Sequence, residues 1–191
     1  MKKIVCLVLA LVLCLCCFSG CGKKNDTYKV GICQLVPHVA LDAATQGFMD
    51  ALTEEFGDKV TFDNQNASGE SSNCATIVNK FVSDKVDLIM ANATPALQAA
   101  ASATDTIPVL ATSITEYGVA LGIEGFTGTV GGNVSGTSDL APLDQQAAMI
   151  KEWCPDAKTV GLIYCSAEAN SQYQVDNVQA ALEALGYTCT Q

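Results

Sequence analysis

Between Tyr28 and Thr112 four short apolar runs alternate with three helical stretches, and few folds accept that rhythm. Residues 29–35, 60–65, 87–91 and 107–112 are apolar runs of strand length, bounded by polar residues. The first is followed by Pro37 and a helical pattern that places Val39, Ala43, Phe48, Ala51, Leu52 and Phe56 on one broad face, with Gly57 ending it. A turn-rich segment, 66–72, leads from the second into a helix with Ala75, Val78, Phe81 and Val82 inward. After the third, Thr94 reads as an N-cap and Pro95 as the first helical residue of an alanine-rich helix ending at Ala103. Strands that are apolar throughout, and not alternately, are buried on both faces, and right-handed crossovers put helices on both sides of a parallel sheet. The sequence therefore predicts an α/β lobe, complete over residues 28–124.

The glycine-rich passage 125–136, mixed with Thr, Val, Asn and Ser, reads as a crossover or hinge extending over 125–141. The pattern then restarts. A helix over 143–153 has Leu143, Ala147, Ile150 and Trp153 inward, a strand covers 159–165, and a helix over 171–185 has Val175, Val178, Leu182 and Leu185 inward. Gly186 is expected to cap that helix, and 187–191 reads as the opening of another strand. One strand and the start of a second do not make a sheet, so residues 142–191 are expected to be an incomplete second lobe of a longer bilobal protein.

The first residues read as an address. Lys2 and Lys3 precede an uncharged run, 4–18, that suits the hydrophobic centre of an export signal over residues 1–20. Ser19-Gly20-Cys21 resembles the bacterial lipoprotein box, which implies lipid on Cys21, anchoring to the membrane and an extracytoplasmic location. Residues 21–27 then form a short lipidated tether. Of the ten cysteines, Cys33, Cys74, Cys154, Cys165 and Cys189 remain in the folded part, with Cys33 and Cys165 inside strand-like runs as small buried thiols. A single disulfide is possible among the five in an exported protein, and the sequence does not choose its members.

Composition excludes several functions. With 10 Lys+Arg against 20 Asp+Glu and no arginine, the chain has little with which to neutralise a phosphate backbone, so no nucleic-acid partner is expected. One histidine, His38, rules out multi-histidine zinc sites, and neither a metal nor a cofactor is expected. There is no GxSxG elbow, HExxH or Walker loop, and the glycines at 131, 132 and 136 do not form a dinucleotide fingerprint, so no enzyme is indicated.

An ordered set of motifs spans the chain from about Tyr28 to its end: Gln34-Leu-Val-Pro-His-Val-Ala-Leu-Asp42, Gln46-Gly-Phe48, Asn64-Gln-Asn-Ala67, Phe81-Val-Ser-Asp-Lys-Val-Asp-Leu-Ile89, Ala93-Thr-Pro-Ala96, Gly131-Gly-Asn-Val-Ser-Gly-Thr-Ser-Asp139 and Tyr164-Cys-Ser-Ala-Glu-Ala-Asn-Ser171. The set resembles the substrate-binding lipoproteins of bacterial ABC transporters, in the group that includes tryptophan and tyrosine receptors. Residues 114–130 depart from the Asp-Pro and basic residues of that pattern, which detaches Tyr117 from it. The resemblance implies two Rossmann-like lobes of the type I periplasmic-binding-protein kind, closing on a small solute such as an aromatic amino acid, and a membrane permease as partner.

In a parallel sheet, ligands gather at the carboxyl ends of the strands. The candidate ligand-binding residues are therefore Gln34, Leu35 and His38 after the first strand, Asn66 after the second, Ala93 and Thr94 after the third, and Thr112, Ser113 and Thr115 after the fourth. The second lobe adds Ser166, Glu168, Asn170 and Ser171. Mostly uncharged hydrogen-bonding groups suit a zwitterion, whose carboxylate would face the helices opening at Thr94 and Ser171 and whose ammonium would meet Glu168. Each has a plain alternative: Thr94 and Ser171 as simple caps, His38 with Asp42 as a surface pair, Glu168 as a solvated charge, Tyr164 as strand packing. The functional alternatives are a ligand-binding sensory module of a membrane signalling protein, or an enzyme on a Rossmann-like fold.

Overall fold

A computed structural model describes residues 27–191, so the expected signal over 1–20 and the lipidation at Cys21 lie outside the described residues. The first lobe runs β1 (Tyr28–Gln34), α1 (Val39–Phe56), a 3-10 turn (Gly57–Lys59), β2 (Val60–Asn66), α2 (Ser71–Ser83), β3 (Leu88–Asn92), α3 (Thr94–Ala103), β4 (Val109–Ile114), α4 (Tyr117–Leu121) and β5 (Val134–Ser138). Its five strands lie in the order β2-β1-β3-β4-β5, every neighbouring pair parallel. The second unit is α5 (Leu143–Trp153), β6 (Thr159–Gly161), α6 (Ala169–Ala184) and β7 (Thr188–Thr190), with β6 and β7 paired in parallel.

The sheet is covered on both faces, as continuous apolar strands require. On one face Val30, Ile32 and Met90 meet Phe48, Met49 and Leu52 of α1. On the other, Cys33, Ile89, Ala91, Val109 and Ala111 meet Cys74, Val78 and Phe81 of α2 and Leu97 and Ala100 of α3. Each fully buried Ile, Leu or Phe contributes roughly 1.5–3 kcal/mol, so these two layers are the lobe's main source of stability.

Several sequence expectations are corrected. The inward face of α1 is rotated: Val39 is 77% exposed and Ala43 and Ala51 face solvent, while the polar Thr45 is the buried residue of the helix. The cause is a hydrogen bond in the core, since Thr45 reaches the strand tips of β1 and β3. In α2, Cys74 replaces Ala75 on the buried face. Part of the supposed linker 125–141 is β5, which joins the edge of the first sheet. Its small, half-exposed residues carry no apolar signal. Trp153 is 80% exposed, because α5 covers a sheet of only two three-residue strands and its last turn overhangs it. Strand β6 stops at Gly161, with one further bond from the Leu162 N–H to the Thr190 carbonyl. Beyond it Cys165 is exposed and Tyr164 is half-buried on a loop.

Gly136 marks where β5 meets the irregular register of β4 between Ala111 and Ile114. A Cβ there would stand 2.0 Å from the Ala111 carbonyl oxygen and 2.2 Å from the Tyr117 hydroxyl. Gly136→Ala is expected to cost about 1–2 kcal/mol in urea unfolding, held to that by the freedom of an edge strand to draw away.

Candidate functional site

With all strands parallel, the carboxyl ends of β2, β1, β3 and β4 form one edge of the sheet. The edge is stiffened by a buried polar network. Thr45 Oγ1 donates to Gln34 Oε1 at 2.7 Å, and Asn92 Nδ2 donates to Thr45 Oγ1 at 3.0 Å and to the Leu41 carbonyl at 2.9 Å. Gln34 Nε2 donates to Asp42 Oδ1 at 2.6 Å and to the Val36 carbonyl at 2.9 Å. Asn92 and Gln34 are 0% and 4% exposed, so these bonds are made away from competing water and fix α1 to the tips of β1 and β3. The Oδ1 of Asn92 is buried without a partner among the described residues.

This network reassigns the first group of candidates. The amide of Gln34 is spent inside the lobe, and what it positions is the chain from Leu35 to His38. His38 is the N-cap of α1, its Nδ1 accepting the Ala40 N–H at 3.2 Å, and Asp42 turns to Gln34 instead of pairing with His38. Leu35 is nearly buried at the tip of β1, its N–H donating to the Asn92 carbonyl at 3.2 Å.

The tips of β3 and β4 are under backbone strain. Ala93 sits at φ 90°, ψ 158°, a region nearly reserved for glycine, and Ser113 at φ 58°. They are cross-strand neighbours, tied by the Ala93 N–H to the Thr112 carbonyl at 3.1 Å. Ala93, and not Thr94, is the N-cap of α3, and it brings no side chain to the helix end. Thr94 is the first helical residue and Pro95 lacks an N–H, so the positive end of α3 faces the edge without a side-chain cap. Ala93→Gly is expected to raise stability by about 1 kcal/mol, since relief of strain exceeds the entropy gained by the unfolded chain. A melting curve unchanged or lowered by that substitution would remove the strain argument.

The fourth strand places Thr115 at its end, 7% exposed, with its carbonyl accepting from Ser138 Oγ at 2.8 Å. Thr112 is in register with Asn92 at the strand tips, but its side chain turns away from the edge, its hydroxyl 3.2 Å from that of Thr137 in a recess beside Phe48. Asn66 closes a local turn by accepting the Ser68 N–H at 2.9 Å. With strands about 4.8 Å apart, Asn66 stands roughly 14 Å across the sheet from the tip of β4, too far for one small solute to touch both. Tyr117 packs into the lobe: it is 6% exposed, its hydroxyl donates to the Ala111 carbonyl at 3.1 Å, and burial pushes its pKa up to about 12.

From the second unit, α6 approaches this edge. Gln174 Nε2 lies 3.5 Å from Thr115 Oγ1. One turn earlier Ser171 Oγ donates to Glu168 Oε2 at 3.3 Å, and Glu168, at the N-cap of α6, makes no side-chain cap. Asn170 Oδ1 is buried without a partner among the described residues, and Ser166 is exposed on the loop before the helix. Ser171 and Gln174 open on a cavity of about 260 Å³ beneath α6. The structure thus brings Ala93, Thr94, Ser113 and Thr115 together on one edge with α6 beside Thr115, and leaves Asn66 and Thr112 apart. Sequence reasoning missed Gln174, which follows Ser171 by one helical turn on the same face, and missed Thr45 and Asn92, whose polarity at buried positions was the available signal.

A family model for ABC transporter substrate binding proteins matches residues 29–190. A tyrosine-binding protein of Clostridioides difficile is 41% identical over 194 residues, covering 93% of this chain and 56% of that protein. An ABC domain from Streptococcus pneumonia, solved in complex with L-Trp, superposes with a TM-score of 0.79 at 38% identity over 86% of this chain. A ligand-free, open substrate binding protein with adhesive properties from Clostridium difficile gives 0.65 at 39% identity over the same 86%. In each comparison the chain spans 56% of the relative's length.

Proposed function

The chain belongs to the ABC transporter substrate-binding protein family, and on that premise we propose that it is the solute-capturing component of an importer for an aromatic amino acid. The family is one of solute-binding proteins and not of enzymes, and the event at the site is capture: an uncapped helix end, strained strand tips and neutral hydrogen-bonding groups offer contacts to a zwitterion. The carboxylate is assigned to the end of α3 at Ala93 and Thr94, with Ser113 and Thr115 beside it. The ammonium is assigned to Glu168, with Ser171 and Gln174 on the same helix. Ser166 and Asn170 flank that position. Leu35 and His38 border the side chain of the solute.

The observation that carries this reading is the meeting of α6 with the tip of β4, Gln174 against Thr115. It is supported by the comparison of two relatives of nearly equal identity, since the chain superposes better on the L-Trp complex than on the ligand-free, open protein. The aromatic preference rests on what those relatives bind. Export, lipid on Cys21 and delivery to a membrane permease complete the proposal, resting on residues 1–27 and on the family.

The test is a melting-temperature screen of the full-length gene product against the common L-amino acids. L-Trp or L-Tyr is expected to raise the midpoint by several degrees, and tryptamine and indole-3-propionate, each lacking one charged group, to raise it far less. No shift with any amino acid would refute the reading. The 191-residue chain, spanning 56% of its relatives, is expected to bind more weakly than micromolar by calorimetry.

A further inference from the structure

The first lobe holds two thiols that solute capture does not use. Cys33 lies on β1 and Cys74 in the opening turns of α2, and both are 0% exposed within the same core cluster. They are neighbours: Cys74 and burial push the Cys33 thiol up, and Cys33 draws the Cys74 thiol down. The contact belongs to a fixed alignment. Two residues back along β1 and two turns on along α2, Gly31 lies against the ring of Phe81, where an added Cβ would come within 2.6 Å. That packing fixes the alignment of strand and helix and sets Cys33 beside Cys74 on the buried seam.

We propose that Cys33 and Cys74 form a disulfide that staples β1 to α2. One thiolate of the pair attacks one sulfur of an external disulfide, a small-molecule disulfide or that of a thiol oxidoreductase, and expels one thiolate. The second thiol gives up its proton and attacks the protein sulfur of the mixed disulfide, expelling the other. Two protein thiols become one S–S bond, and the external disulfide is reduced to two thiols. Because both sulfurs are buried in the folded lobe, the exchange takes place before β1 and α2 dock, and the finished bond is shielded from reductants. An oxidising compartment, as the proposed export would provide, supplies the reagent. Cys154 and Cys165 are exposed and Cys189 is half-buried, so none shares this enclosure.

The chain should be folded from denaturant with a reduced and oxidised glutathione couple, alkylated, and digested with trypsin without reduction. Lysines at 29, 59 and 80 place Cys33 and Cys74 on separate peptides, 30–59 and 60–80, each with no other cysteine. The expected result is a single species joining those two peptides with the loss of two hydrogens. The oxidised chain is expected to melt about 10 °C above the reduced one, as closing a loop of about 40 residues implies. A Cys33→Ala/Cys74→Ala double variant should melt at one temperature in both conditions. Recovery of the two peptides unlinked from the oxidised, folded chain would overturn the proposal, and so would linkage of either to Cys154, Cys165 or Cys189.

Discussion

Gly31→Ala is expected to destabilise the first lobe by about 2–3 kcal/mol, the upper range for forcing extra carbon into a packed core. Gly31 lies on β1, flanked by β2 and β3, and its missing side chain is the space that Phe81 fills. An added Cβ would fall 2.6 Å from two atoms of that ring, one of them the atom nearest its attachment, so rotating the ring does not clear it. Phe81 is itself fully buried, and α2 cannot lift without exposing Val78 and Cys74. The clash is therefore shared between strand and helix and has no cheap exit. The check is a double-mutant cycle by urea unfolding. Phe81→Leu alone leaves a cavity and loses stability, but in the Gly31→Ala background it makes room, so the pair should cost clearly less than the sum. Additive losses, or a Gly31→Ala protein within about 0.5 kcal/mol of the parent, would show that the two residues do not compete for one space.

That Gly31 passed unnoticed in the sequence while its strand did not says what kind of information each carries. The run Val30 to Leu35 announces a strand by being apolar, and neighbouring runs announce a parallel sheet by repeating the pattern with helices between. These are local, one-dimensional signals, and the strands, the helices and the edge where the loops converge follow from them. Which face a helix buries is a relation between elements. Residues Val39, Ala43 and Ala51 formed a plausible apolar stripe on α1, yet the helix turns so that Thr45 can reach Gln34 and Asn92, because the buried amides at the strand tips need partners more than those side chains need cover. β5 was hidden for the opposite reason. Val134–Ser138 has little to bury and is held chiefly by its ladder to β4, a bond pattern that side-chain chemistry does not reveal. At the site, the choice of strand tips was legible from topology alone. The strain at Ala93 and Ser113 and the approach of Gln174 to Thr115 were not, since a residue's φ and its neighbour across a gap are settled by the assembled fold.

Asn92→Asp is expected to be the most damaging isosteric change in the lobe, costing about 3–5 kcal/mol at neutral pH, as unpaired buried charges do. The substitution keeps the shape and exchanges the Nδ2 donor for an oxygen. That oxygen would point at the Leu41 carbonyl, 2.9 Å away, and at Thr45 Oγ1, whose proton is already given to Gln34. Asp42 adds a second carboxylate to the same network. Burial, the carbonyl and the neighbouring carboxylate all disfavour the charged form, so the introduced carboxyl has a folded pKa well above its unfolded value of about 3.9. The sign follows from linkage: the folded state holds the proton more tightly than the unfolded state, so the fold tolerates the substitution below about pH 4 and loses stability steadily as the pH rises. A titration of opposite sign, common to parent and variant, lies below that range. The Gln65 amide and Lys80 ammonium beside Asp63, and Lys80 and Lys29 beside Asp84, hold those carboxyls below the usual carboxylate range, so their contribution is lost as the pH falls. Urea midpoints of parent and variant should therefore lie close together near pH 4 and separate towards pH 8. Asn92→Ala, which removes the same donor without adding a charge, should lose stability by an amount that does not change with pH. A constant gap between parent and Asn92→Asp across that range would mean that the side chain at this position is open to water, and the network at the strand tips would lose its claim to rigidity.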